Sequence, residues 1–209
     1  MIGRYPDFDV FAAEASWDEQ TAAVIKARLA PSGALRFFTP EEEPALRAFC
    51  DTTTAQDDDP RIPVAEMVDA KLADGELDGF RYEDMPADPE TWRLVLRGLD
   101  ERARELDGDG FAALSLDLRE QVVGALAEGE LSGGAWDELN VTRAWSVCMR
   151  GILAAFYSHP WSWNEIGFGG PAYPRGFMRL GQGVSGLEPF ERGGATDEDP
   201  VREVDEDAR

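Results

Sequence analysis

Residues 156–177 read FYSHPWSWNEIGFGGPAYPRGF. The stretch closes the longest helical pattern in the chain. It is dense in aromatics and equally dense in glycine and proline. Glycine and proline exclude long regular elements. Aromatic rings demand burial of a large apolar area. The stretch therefore reads as an irregular arm that must lie against its own helices or against another protein. Trp161 and Trp163 alternate about Ser162, which puts both rings on one side of an extended segment. Two readings of the pair stand together. They cover the preceding helix, or they anchor a protein interface, where Trp, Tyr and Arg are enriched.

Working back from the arm, apolar residues recur at helical spacing. The last helix is expected from about Trp136 to Tyr157, with Leu139, Trp145, Met149, Ile152, Leu153 and Phe156 on its stripe and Pro160 as its stop. Ser115 caps a helix carrying Leu118, Val122, Ala125 and Leu126. Asp88-Pro89 starts a long helix with Trp92, Leu96, Leu99, Ala103 and Leu106 inward. Its outer face pairs Arg97 with Glu101 and Asp100 with Arg104 at i,i+4 spacing. Pro63 opens a helix with Val64, Met67, Val68 and Leu72 inward, and Gly75 ends it. Thr39 and Glu42 form a capping box ahead of Leu46, Phe49 and Cys50. Pro44 sits awkwardly just inside that helix. Ser16 and Glu19 form a second box ahead of Val24, Ile25 and Leu29. Residues 1–15 read as an extended lead-in, and the acidic residues 191–209 as disordered. No alternating strand pattern stands out. The expected fold is all-α, a compact array of about six helices followed by an irregular C-terminal arm rich in aromatics, glycine and proline. Three parts are expected: an N-terminal extension with one helix (1–36), a helical domain with its arm (37–190), and an acidic tail (191–209).

The chain has 209 residues, 43% of them hydrophobic, enough for a real core. Its net charge is −22, from 42 acidic and 20 basic side chains. So negative a chain repels phosphate, which makes nucleic acid and anionic membranes poor partners. No hydrophobic run approaches the roughly 18 residues a membrane helix needs. The N-terminal residues lack a basic region and an apolar core, and no two arginines are adjacent. A cytoplasmic location is therefore expected.

Shortage of parts excludes most catalytic constellations. The only histidine is His159, so His-rich metal sites cannot be built. Cys50 and Cys148 lack metal-ligand spacing and read as buried free thiols. His159 reads as a structural residue at a helix C-terminus, where a cation favours the dipole. Gly167-Phe168-Gly169-Gly170 lacks the strand and helix that flank a nucleotide loop. Asp57-Asp58-Asp59 lacks the spaced ligands of a calcium loop. No residue is assigned to catalysis, to a cofactor or to a metal.

Several segments together carry a family resemblance. They are Phe38-Thr39-Pro40-Glu41-Glu42 with Leu46-Arg47-Ala48, Asp59-Pro60 ahead of Val64–Leu72, and Phe111, Leu114 and Gln121-Val122-Val123. The most specific is the close: Phe156-Tyr157-Ser158-His159-Pro160, then Ile166-Gly167-Phe168-Gly169-Gly170-Pro171 and Tyr173-Pro174. Over residues 37–177 the chain resembles the gluconate 2-dehydrogenase subunit 3 family. The resemblance implies a small accessory subunit with no cofactor of its own. Its partner would be a large, FAD-containing flavoprotein of the glucose–methanol–choline type that oxidises a sugar or sugar acid. The small subunit would support the folding, stability or export of the large one. The family's frequent twin-arginine signal is missing here, so a periplasmic complex would need an export signal on the partner. Between Tyr157 and Gly167, Trp161 and Trp163 replace a glycine- and asparagine-containing loop, with Asn164 as its remnant. The expected partner interface comprises Tyr157, His159, Trp161, Trp163, Asn164, Phe168, Pro171, Tyr173 and Phe177. Two other readings are a free-standing helical enzyme using His159 and an acidic scaffold without a flavoprotein partner.

Overall fold

The computed structural model describes residues 9–29, 33–76, 79–106 and 108–171. Among these residues the regular structure is helical and no strand occurs. The α-helices are α1 (Glu19–Ala27), α2 (Glu43–Thr53), α3 (Val64–Ala73), α4 (Asp88–Glu105), α5 (Leu116–Glu128), α6 (Val141–Ser158) and α7 (Pro160–Ile166). Short 3-10 segments lie at Val10–Ser16, Phe111–Ala113 and Gly134–Glu138. The all-α class is as expected. The arm beyond Pro171 and the acidic tail lie outside the described residues.

Packing separates two units. The larger lies within Ser32–Phe156, and the smaller is drawn from the chain before Ser32 and after Phe156. In the larger unit the local start and stop signals are in place, although α2 itself begins at Glu43 and not at Pro40. The Thr39 hydroxyl accepts from the Glu42 N–H at 3.3 Å, and the Glu42 carboxylate accepts from the Thr39 N–H at 2.8 Å. This capping box satisfies two donors that a helix start leaves orphaned. Pro44 falls in the first turn of α2, where a missing N–H costs nothing. Ser115 accepts from the Leu118 N–H and starts α5, which Gly129 ends in a left-handed conformation (φ 74°).

The core of this unit gathers Leu46, Phe49, Val95, Leu96, Leu99, Leu126 and Ile152, all essentially inaccessible. Trp92 sits edge-on to Phe38 and Phe49, with centroids 6.2 and 6.3 Å away. Gln56, Asp69 and Thr91 are polar and buried in the same unit. The Asp69 carboxylate of α3 accepts from the N–H groups of Arg36, Phe37 and Phe38 at 2.7, 2.9 and 2.9 Å. A buried carboxylate without such donors would carry a large desolvation cost. Here it supplies acceptors to three backbone donors of a non-helical segment. The ion pairs Arg97–Glu101 and Asp100–Arg104 form at 3.7 and 3.9 Å, but half-exposed pairs of that length add little. Cys50 and Cys148 are free and buried.

Three local expectations need correction. Helix α1 is capped by Asp18, which accepts from the Thr21 N–H at 2.7 Å, and not by Ser16. Val10–Ser16, expected to be extended, is a 3-10 turn capped by Asp9. The last long helix starts at Val141 and not near Trp136. Asn140 accepts from the Arg143 N–H and opens α6 there. Trp136 lies instead in the preceding 3-10 segment and is buried on α4. No described helix is long and apolar enough to cross a membrane.

Trp136 reaches α4 because residue 98 is glycine. A Cβ at Gly98 would stand 2.5 Å from the Trp136 ring. In an exposed helix, Gly→Ala stabilises by about 0.5–1 kcal/mol. At this site the sign reverses: Gly98→Ala should destabilise by about 1–3 kcal/mol through overpacking. Urea unfolding of the two proteins, compared through their midpoints, measures it. A Gly98→Ala protein more stable than the parent would refute the packing.

Candidate partner-binding site

The smaller unit is built around the α6–α7 junction. Proline disfavours the helical conformation in the residue before it, so α6 ends at Ser158 and His159 is extended (φ −86°, ψ 136°). The same proline has no N–H to lose at a helix start, so Pro160 becomes the first residue of α7. The segment expected to be irregular is therefore helical from Pro160 to Ile166. Gly167, at φ 67°, closes it. The expected one-sided display of Trp161 and Trp163 is also corrected. Two residues apart on an α-helix, their side chains diverge by about 160°. Trp163 is 5% exposed and Trp161 is 36% exposed.

Trp163 is internal to the unit. Its indole N–H donates to the Tyr157 carbonyl at 2.7 Å. Its ring meets Phe168 edge-on at 5.6 Å and packs with Val10, Trp17 and Ile25. The Arg28 guanidinium lies 5.7 Å from the centre of the ring and donates to the Ser158 carbonyl at 2.7 Å. The Asn164 side-chain oxygen accepts from the Val10 N–H at 2.8 Å. Pro171 lines a shallow depression with Thr21, Val24 and Arg28. The N-terminal segment is thus the bed for this part of the arm. Val10, Trp17, Ile25 and Arg28 were not singled out as site residues. Their one signal was a set of large apolar side chains in a segment too short to bury them alone.

His159 directly follows the last residue of α6, the helix end at which it was expected, and it is at once the N-cap of α7, with ring Nδ1 accepting from the Trp161 N–H at 3.3 Å. The residue is 2% exposed, and burial pushes its pKa below the ordinary 6.5, opposed by a hydrogen bond to the Arg28 backbone and aided by the Arg28 charge. Of the expected interface, Tyr157 (48% exposed) and Trp161 face outward. Trp163, Asn164 and Phe168 are engaged within the unit. Tyr173 and Phe177 lie outside the described residues. Among the described residues no group of three or more His, Cys, Asp or Glu side chains is arranged to hold a metal.

An all-helical chain with its aromatic junction folded on an N-terminal segment defines the class. The family described as gluconate 2-dehydrogenase subunit 3 matches residues 40–170, and the chain belongs to it. No curated protein and no solved structure matches the chain. The family match begins after the segment that beds Trp163, so Val10–Arg28 stands outside the shared region.

The burial difference predicts opposite outcomes for two tryptophans two residues apart. Trp163→Ala should destabilise the smaller unit by about 3–5 kcal/mol. Amide hydrogen exchange in α1 and α7 should then accelerate together. Trp161→Ala should leave those amides protected. Equal effects of the two substitutions would contradict the inward–outward assignment.

Proposed function

We propose that this chain is a non-catalytic accessory subunit of a heteromeric dehydrogenase that oxidises a sugar or sugar acid. In this reading a larger partner subunit carries FAD and the chemistry, and the present chain supports its folding and stability. Family membership supports the subunit role. The observation that carries the docking site is the exposure of three large apolar side chains around one junction: Tyr157, Trp161 and Ile166. Exposed tyrosine and tryptophan are the side chains most enriched among interface anchors. Neighbouring Trp163 and Phe168 are consumed by the chain's own core, so they shape the surface and do not reach across it. Those anchors therefore reduce to Tyr157 and Trp161, with Ile166 at the rim.

A catalytic His159 finds no support in the geometry. Its ring is buried, and one nitrogen is committed to capping a helix.

The test is co-expression with a large dehydrogenase subunit of the FAD-containing type from the same source. The wild-type pair should co-purify with flavin absorbance. Changing a central aromatic anchor to Ala costs about 2 kcal/mol, close to 30-fold in Kd. Trp161→Ala and Tyr157→Ala should each weaken the complex by roughly that factor while the isolated chain keeps its fold. Undiminished co-purification of the double variant would remove the interface. A co-purifying subunit with no flavin would remove the FAD assignment.

A further inference from the structure

His159 is the chain's only histidine. It is almost wholly buried, and the hydrogen bond it makes requires one protonation state. To accept from the Trp161 N–H, Nδ1 must carry a lone pair, so the neutral ring holds its proton on Nε2. A second proton would go to Nδ1. It would convert the cap's acceptor into a donor facing another donor. It would also set a positive charge at the positive end of α7. The charged group bearing on the ring is the Arg28 guanidinium, just after α1, fixed by its bond to the adjacent Ser158 carbonyl. A hydrogen bond between the ring and the Arg28 backbone favours the protonated form and offsets the burial only in part.

We propose that His159 makes the α6–α7 junction a proton-operated latch: acid protonates Nδ1, withdraws the cap and releases α7 from the N-terminal bed. Release of α7 takes Trp163 away from the Tyr157 carbonyl and Asn164 away from Val10. The inward tryptophan and its outward neighbour, Trp161, would then lose their fixed relation. The latch is a property of the isolated chain and does not depend on the partner reading.

The direction follows from linkage. The folded-state pKa lies below the ordinary 6.5, so the folded form binds less proton than the unfolded one. The stabilisation is fully present above pH 6.5 and is lost as pH falls from there toward the folded value. Two other groups of the unit carry shifts of their own, one of them in α7 itself. Burial raises the Glu165 carboxyl, which makes it strengthen the fold as pH falls. Asp18 is held low by its cap to Thr21, so its contribution is lost only in stronger acid.

Hydrogen exchange of the full chain between pH 7.5 and 5.5, corrected for intrinsic exchange, tests the latch. Protection of the amides at 161–168 should fall by up to about ten-fold per pH unit below 6.5. The amides of α4 should stay level. His159→Asn keeps a capping oxygen without a titrating ring, and it should flatten the profile. Proton NMR of the lone imidazole supplies a second readout on the unmodified chain, with a midpoint expected below 6.5. A level wild-type profile, an unchanged slope in His159→Asn, or a ring midpoint at or above 6.5 would each overturn the proposal.

Discussion

A single steric conflict shapes the junction at which α6 ends and α7 begins. Pro160 disfavours a helical His159, so α6 must stop, yet the same ring is well suited to begin another helix. The chain therefore turns at His159 and restarts at once. The described residues that follow inherit that turn. It rotates Trp163 inward and Trp161 outward, and it buries an imidazole as a helix cap. An extended segment with the same residues would have shown both indoles on one side.

The junction can be buried only because its polar groups find partners, two of the three from far along the chain. The carbonyl of Ser158 is met by Arg28, the carbonyl of Tyr157 by the Trp163 indole, and the N–H of Val10 by Asn164. The larger unit solves the same problem with Asp69, whose carboxylate takes up three consecutive backbone donors. In both units a short non-helical segment is fixed by one side chain far away in sequence. Unmet, such buried donors and acceptors cost about 1–3 kcal/mol each. These contacts outweigh the exposed ion pairs on α4, which are more visible in the sequence and weaker in effect.

The helical frame was legible because its signals are local. The Thr39–Glu42 box, Ser115 and the proline before Val64 each act within one turn of chain, and each stands where it was read. The apolar stripe of α4 is buried as its spacing required, apart from half-buried Leu106. The closing motif was distinctive enough to name the family. The misread elements share a cause. Two local signals competed, and packing chose between them. At residue 136 the apolar spacing marks a helical stripe, but the ring is drawn onto Gly98 and Asn140 caps the helix later. At residue 160 a stop signal was also a start signal.

What the sequence determined by itself was the all-helical class, the positions of most helix ends and the family, because propensity, capping and periodicity are written within a few residues. Tertiary structure alone decided which aromatics of the junction are spent on the chain's own core. Burial of Trp163 and Phe168 depends on Val10, Trp17 and Ile25, more than a hundred residues earlier in the chain. No local pattern can encode the meeting of segments so far apart, since it arises only when apolar surfaces from both are removed from water together.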